Sequence, residues 1–416
     1  MSVDPDPNTT PDASLGERWA AAGLPAEKLE RARALGISER SLAQLVSWQR
    51  PERIDEEIEW ADRLHNGSMT FRQLTPADDD AFRALWANSA EAIGDWDVTV
   101  ERGENPFAQF ELQQRPVLNG LFDGTTMVAC VSFAVRRTVV GGREIIVHYG
   151  QAMRVHNEHR GRQYAHWVRS LPWAVGLGRA THLQYDIIRG GNMTMEGWNR
   201  KFMPDVASVP KRDGGVPGVP VTVLQYEATP PAGANDGVRP ARDGDIDRCV
   251  SLINRTHAGR DLFRPYTLPS LMERLDAGLT GEFRGPWNPP YSLKDFYVLE
   301  RDDEVIACAG LWDRGRDVWE RWRHRETGEE RVLAGTALLD YGFAEGHERA
   351  LKALIEHLIG VTHSLGRAYL VAPLETLPEV AALLEARRPI AETRYLQWRA
   401  EQPALTPPPY LDLVYW

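Results

Sequence analysis

Arginine, glycine and a helix start lie together at Arg160, Gly161, Arg162, Gln163, Tyr164 and Ala165. They follow an alternating run at 144–156 and precede a stretch in which Tyr164, Trp167, Val168 and Leu171 recur on one helical face. A strand, a tight turn and a helix start make a place for phosphate. The first N–H groups of the helix lack intrahelical partners, the dipole adds partial positive charge, and arginine adds a two-pronged contact. The same run carries groups that move protons. His148 titrates near neutrality, whereas Tyr149, with a normal pKa of about 10, is an inefficient base. Asp97, Glu101, His156, Glu158 and Asp186 also suit proton abstraction, and each suits an ordinary surface pair as well. Asp95, Asp97 and Glu101 flank Trp96, a composition that fits a cationic amine and fits a solvated acidic loop equally.

These residues need a frame, and the hydrophobic pattern supplies one. Short strands are expected at 117–122, 127–138 and 144–155, joined by turns at Asp123-Gly124 and Gly141-Gly142. A helix follows, then a strand from His182 to Ile188, then Gly190-Gly191 and a second helix opened by Asn192. The order recurs. The segment at Phe71 aligns without gaps with that at Val238, an offset of 167 that pairs Arg72 with Arg239, Asp78 with Asp245, Asp80 with Asp247 and Leu85 with Leu252. The second meander is expected at 296–301, 304–312 and about 331–339, and a strand at 221–226 closes the first copy. Residues 1–67 read as a disordered tail and a helical extension, with helices capped at Ser14, begun at Pro25, opened by Ser38 or Ser41, and begun again at Pro51. Residues 68–230 and 231–416 then form two similar α/β (α+β) domains with mixed sheets.

This order of elements, together with the Arg160–Ala165 turn, resembles the Gcn5-related N-acetyltransferase superfamily, as a tandem-domain member whose second copy is degenerate. The resemblance covers about 70–228 and, more faintly, 238–416. It implies acetyl-coenzyme A, or another acyl-coenzyme A, as co-substrate, and transfer of a short acyl group to an amine by direct attack in a ternary complex. Carried over residue by residue, it assigns cofactor contacts to Met153, Val155, Arg160, Gly161, Arg162, Gln163, Tyr164, Ala165, Asn192 and Asn199. Gln163 stands where the family has glycine, and Asn199 where it commonly has the tyrosine that protonates the departing thiolate. Eleven residues before Arg160, where histone-acetylating relatives place a glutamate, this chain has Tyr149. Tyr149, His148 and Tyr185 are the catalytic candidates, and Asp95, Trp96, Asp97 and Glu101 the substrate-binding ones.

In the second copy, no Arg-Gly turn follows the strand near 331–341, and Glu345 and Glu348 would repel a pyrophosphate, so this copy reads as catalytically silent. The segment 410–416 alternates like a strand that completes a sheet. No metal is expected, since His347, His357 and His363 do not share a helical face. A formal net charge of −11 disfavours nucleic acid as partner, and no apolar run approaches the roughly 18 residues that span a bilayer. Three scattered cysteines fit free thiols in a cytoplasmic protein. A small-molecule amine is the expected partner, and the helical arm leaves a homodimer open. Two alternatives stand beside this reading: a non-catalytic acyl-coenzyme A sensor, and an aminoacyl-tRNA-dependent peptidyltransferase.

Overall fold

The computed structural model describes residues 14–35, 51–160, 183–189, 219–231, 237–275, 285–374, 377–398 and 408–415, with single positions 42, 46, 283 and 405. They fall into two compact units, one of residues 1–72 with 121–128 and the other of 73–120 with 129–416.

The smaller unit holds helices Leu15–Ala21, Ala26–Ala34 and Pro51–His65. Ser14 opens the first as expected: its hydroxyl accepts the Glu17 N–H at 3.3 Å, and Glu17 returns a carboxylate to the Ser14 N–H at 2.7 Å. Each helix is too short to persist alone in water. Packing supplies the difference, through Trp19, Leu29, Ile54 and Ile58, all buried, and through a Lys28–Asp55 ion pair of 2.6 Å. The helix expected from Ser38 or Ser41 lies outside the described residues, apart from Leu42 and Val46. In the same unit Arg63 pairs with Asp123 at 2.7 Å, and Arg72 lies 4.3 Å over the Phe122 ring.

Sixteen strands are described: β1 Met69–Gln73, β2 Glu91–Ile93, β3 Trp96–Arg102, β4 Pro116–Asp123, β5 Thr126–Val140, β6 Arg143–Val155, β7 Leu183–Arg189, β8 Val219–Glu227, β9 Val238–Pro240, β10 Phe296–Arg301, β11 Glu304–Trp312, β12 Val318–His324, β13 Glu330–Leu333, β14 Gly335–Phe343, β15 Tyr369–Ala372 and β16 Ile390–Trp398. In the larger unit a long mixed sheet runs β4-β5-β6-β7-β16-β8-β15-β14-β11-β10-β9. The two copies meet at β16 and β8, and each copy's last strand has crossed over. First-copy β8 pairs with second-copy β15, second-copy β16 pairs with first-copy β7, and the two exchanged strands pair with each other. A smaller sheet, β13-β12-β3-β2, also mixes strands of both copies.

The repeat is visible in detail at its capped helix starts. The Thr75 N–H reaches Asp78 at 2.9 Å, and at the same offset of 167 the Arg242 N–H reaches Asp245 at 2.8 Å. Helices Asp79–Ala87 and Ile246–Thr256 follow. The latter lies against β14 at Gly342, where a Cβ would come within 2.5 Å of the Ile253 backbone nitrogen, so only glycine permits that approach. On the second copy's other core, Leu351, Leu354, Ile355, Leu358 and Ile359 of helix Glu348–Ser364 are fully buried with Leu299, Ile306, Leu338 and Leu370. Their spacing of three and four places them on one stripe, each removing about 1.5–3 kcal/mol worth of apolar surface from water.

Three expectations need correction. The segment 410–416, expected as a strand, forms none among its described residues 410–415; Leu413–Tyr415 is a single 3-10 turn, and residues 410–414 are all buried, so their alternation does not mark a two-faced strand. Residues 93–103, expected as a loop, contain β3, paired from Val318↔Arg102 to His324↔Trp96 with a strand more than 200 residues away. And β16, which the pattern did not announce, occupies the centre of the long sheet. No helix among the described residues is long and apolar enough to cross a membrane.

Candidate active site

In β6, residues 147–150 pair in parallel with 183–186 of β7, and the described pairing ends at Gly150↔Asp186. Both strands continue, β6 to Val155 along β5 and β7 to Arg189 along β16, so they part company. At the same place β6 carries a bulge: Ser132 faces Gln151 and Cys130 faces Arg154, which leaves Ala152 and Met153 opposite one residue. Ala152 takes up the extra residue at φ 53, in the left-handed region that a side chain tolerates poorly. The Cys130 thiol donates to its carbonyl at 3.3 Å. Residues 151–155, half-buried, thus present a backbone edge toward the opening.

The second copy repeats this geometry. Parallel pairing of β14 with β15 ends at Ala337↔Val371, and the register between β11 and β14 shifts between Cys308 and Gly310. Asp340 sits there at φ 46, the counterpart of Ala152, and Tyr341 is the counterpart of Met153. Here the opening is bridged, because the Tyr341 hydroxyl donates to the Pro373 carbonyl at 3.0 Å and Tyr341 is buried. A described residue thus spans the second copy's splay, and the corresponding residue of the first copy, Met153, has no hydroxyl to donate in that way.

Three glutamines gather beside the first copy's bulge. Gln151 donates to the Gln113 side-chain oxygen at 2.5 Å, and Gln109 and Gln113 both donate to the Val414 carbonyl, at 3.0 and 3.2 Å. Gln109 and Gln113 project together because they are four apart around the helical turn Ala108–Glu111. None of these glutamines stood out in the sequence, and the 410–414 segment read there as a sheet strand and not as part of the site. The spacing of Gln109 and Gln113 was the available signal, and it points nowhere until Val414 is placed. Glu111, on the same turn, has its carboxyl pushed up to about 7, chiefly by burial, while a hydrogen bond from Asn105 pulls the other way.

The expected site residues are placed as follows. Tyr149 is buried on the β6 face shared with Gln151, and His148 is fully buried on the opposite face, its ring 4.5 Å from Phe133. Tyr185 lies in β7 opposite Tyr149 in the parallel register. Met153 and Val155 are on the stretch of β6 beyond its described pairing with β7. Arg160 donates to the Ala90 carbonyl, and burial lowers its pKa. Gly161, Arg162, Gln163, Tyr164, Ala165, Asn192 and Asn199 lie outside the described residues. Arg154 pairs with Glu91 and lies 4.4 Å over Trp86, whose ring also holds Arg102 at 3.9 Å. Arg102 is pushed down to about 9, first by burial and then by Arg314 and Arg154.

The acidic group near Trp96 is committed to structure. Glu101 accepts from Arg321 at 2.5 Å and from the Trp319 indole at 3.0 Å, and Asp97 has Arg325 at 3.9 Å. Trp96 meets His324 edge-on at 5.0 Å and lies 4.7 Å under Arg331. Asp95 offers its backbone carbonyl to the Arg325 N–H at 2.9 Å. Trp96, Asp97 and Glu101 stand on β3 of a sheet that joins the copies, where arginine side chains from the second copy meet all three, and Asp95 lies in the turn before it.

By sequence, no family model and no curated protein matches the chain. Structural likeness is extensive. A structure of Saccharomyces cerevisiae N-myristoyltransferase with bound myristoyl-CoA superposes with a TM-score of 0.55 at 12% identity, over 83% of this chain and 87% of that one. Another structure of the yeast enzyme with myristoyl-CoA gives 0.52 at 12% identity over 84% and 83%. A Gcn5-related N-acetyltransferase from Kribbella flavida gives 0.40 at 12% identity over 79% and 70%. With its doubled strand order, its paired bulges and this match along most of its length, the chain is a tandem-domain protein of the Gcn5-related N-acetyltransferase fold.

Proposed function

We propose that the chain is an N-acyltransferase that moves an acyl group from acyl-coenzyme A to an amine, at the opening between β6 and β7 of the first copy. One observation carries this reading: the same bulged strand, parting from its parallel neighbour, occurs twice, and in the second copy a tyrosine bridges the gap. Backbone N–H groups on the edge at 151–155 suit the pantetheine arm and the thioester carbonyl, whose developing negative charge a fixed donor stabilises. Met153 and Val155 line that edge. Arg160 and the turn 161–165 would hold the pyrophosphate, and Asn192 and Asn199 the thiol end.

Attack requires a neutral amine, so a base, directly or through one water, takes its proton. Tyr149, beside Gln151 on the buried face, and Tyr185 opposite it are the groups we assign to proton transfer to the departing thiolate; His148 is the third candidate, on the opposite face of the strand. We take the acyl group to be acetyl or another short chain and the acceptor to be a small-molecule amine. The yeast enzyme's complex with myristoyl-CoA makes donor length part of the test.

The experiment measures thiol release by the purified full-length chain from acyl-coenzyme A donors of increasing length with a panel of amines. Amine-dependent release is expected, and in Arg160→Ala the KM for the donor rises roughly tenfold or more, the loss of one charge-assisted phosphate contact. No amine-dependent release with any donor, and no coenzyme A retained by the protein in mass spectrometry, would refute the proposal.

A further inference from the structure

The second copy's bulge is bridged by Tyr341, and it is wired to the first copy. Asp340 is 1% exposed, and its carboxylate accepts the Tyr266 hydroxyl at 2.7 Å and the Arg274 Nε at 2.8 Å. The other two nitrogens of Arg274 grip Asp412, Nη1 on Oδ2 at 2.8 Å and Nη2 on Oδ1 at 2.9 Å. Asp412 Oδ1 also accepts the Val414 N–H at 3.1 Å. The Val414 carbonyl then takes Gln109 and Gln113, and Gln113 takes Gln151, the residue next to Ala152. An unbroken series of contacts therefore joins the two bulges, from the left-handed aspartate of one to the left-handed alanine of the other. Its other end is fixed too: the Tyr410 N–H donates to the Asp261 carbonyl at 2.8 Å, and the Asp261 carboxylate receives the Gly141 N–H at 2.8 Å.

Leu411, Leu413 and Val414 are buried, and apolar burial alone would hold this segment against the body. It would not fix its register. A buried ion group gains little over apolar side chains of the same volume, because desolvation offsets attraction, but a two-pronged guanidinium–carboxylate contact has one geometry. Two carboxylates on one fork define where residue 412 sits and therefore where the carbonyl of residue 414 points.

We infer that Arg274 and Asp340 are positioning residues for the first copy's site: through Asp412 they set the register of residues 410–414, so that the Val414 carbonyl orients the Gln109–Gln113–Gln151 group as a wall along which the acceptor approaches the bulge. The inference rests on the acyl-transfer reading of that site. It also gives the second copy a task that needs no ligand of its own.

The test uses the full-length chain and Asp412→Ala, which leaves Arg274 its Asp340 partner while removing the carboxylate that also faces Arg136. Asp412→Asn, which keeps the shape and one acceptor, is the milder companion. Backbone hydrogen exchange at 411–414 is expected to rise about tenfold or more in Asp412→Ala, with strands β10 and β11 unchanged. Amine-dependent kcat falls by roughly ten- to hundredfold while the KM for acyl-coenzyme A stays within about twofold, as for loss of orientation without loss of donor binding. Asp412→Asn falls between the two. Segment exchange that does not rise in either variant overturns the inference, and so does a freed segment with kcat unchanged. If the wild-type chain turns over no acyl-coenzyme A, the proposed function fails by itself, and the exchange data alone decide whether the tether exists.

Discussion

His257 makes the stability of this fold depend on pH in a way that can be isolated. It is fully buried, its Nε2 3.0 Å from the Tyr341 carbonyl, with the rings of Phe263, Tyr341 and Tyr410 at 5.2, 4.8 and 4.8 Å. Burial pushes its pKa down to about 3; the Tyr341 carbonyl opposes this and Arg260 adds to it. In the unfolded chain the imidazole regains its ordinary pKa of about 6.5. The unfolded state therefore binds the extra proton first. Stability is whole above about pH 6.5, declines as pH falls, and stops declining only near the folded value of about 3. Between pH 7.5 and 5.0 the lost stability is about 1.5 pH units at 1.36 kcal/mol each, or about 2 kcal/mol. Urea unfolding at the two pH values measures it, compared with His257→Gln, whose amide can still donate to the Tyr341 carbonyl. Contributions from other groups cancel in the comparison, so the wild-type chain loses about 2 kcal/mol more than the variant. Equal losses would refute the reasoning, since they would mean that His257 takes its proton as easily in the fold as out of it.

Two further outcomes follow from packing. Gly310→Ala would place a Cβ 1.7 Å from the Tyr291 hydroxyl oxygen, so we expect overpacking to cost about 1–3 kcal/mol or more, read as a lowered melting temperature; an unchanged one would contradict the close approach. Cys130, Cys249 and Cys308 are all fully buried, and burial pushes Cys130 up to about 12. At pH 8 a disulfide reagent should therefore label almost none of the three thiols until denaturant is added, and fast labelling of the native chain would count against that burial.

What the sequence revealed was what is local. Turns that demand positive φ are spelled in their own residues, and Gly124, Gly141, Gly142, Asp302 and Asp303 all adopt it, at 59, 56, 74, 51 and 61°. The capped starts at Asp78 and Asp245 are equally self-contained, which is why the repeat was legible at an offset of 167 from so few identities. Partner choice is not local. Glu101 reads as a free acid until Trp319 and Arg321 are brought to it, and Asp412 reads as the polar face of a strand until Arg274 makes it an interior residue. The positions of the bulges were not legible for a related reason. Ala152 is an unremarkable residue type for a strand interior, and only the pairing with β5 forces it into a left-handed conformation. The candidate site was thus visible as a segment and a class of chemistry, while the contacts that reach its glutamines from the other copy, at Val414, were not.

The exchanged strands have a consequence for how the chain comes into being. β7 ends at Arg189 and its neighbour β16 begins at Ile390, so the first copy's sheet must wait for 201 further residues before its inner edge is covered. At about 5–20 residues per second on the ribosome, that interval is roughly 10–40 s. Through all of it an unpaired strand edge is exposed in the crowded surroundings of synthesis, a template for pairing with any nascent neighbour. Closure waits for β16 and joins both halves at once, so the chain gains its protection against misassociation in a single event.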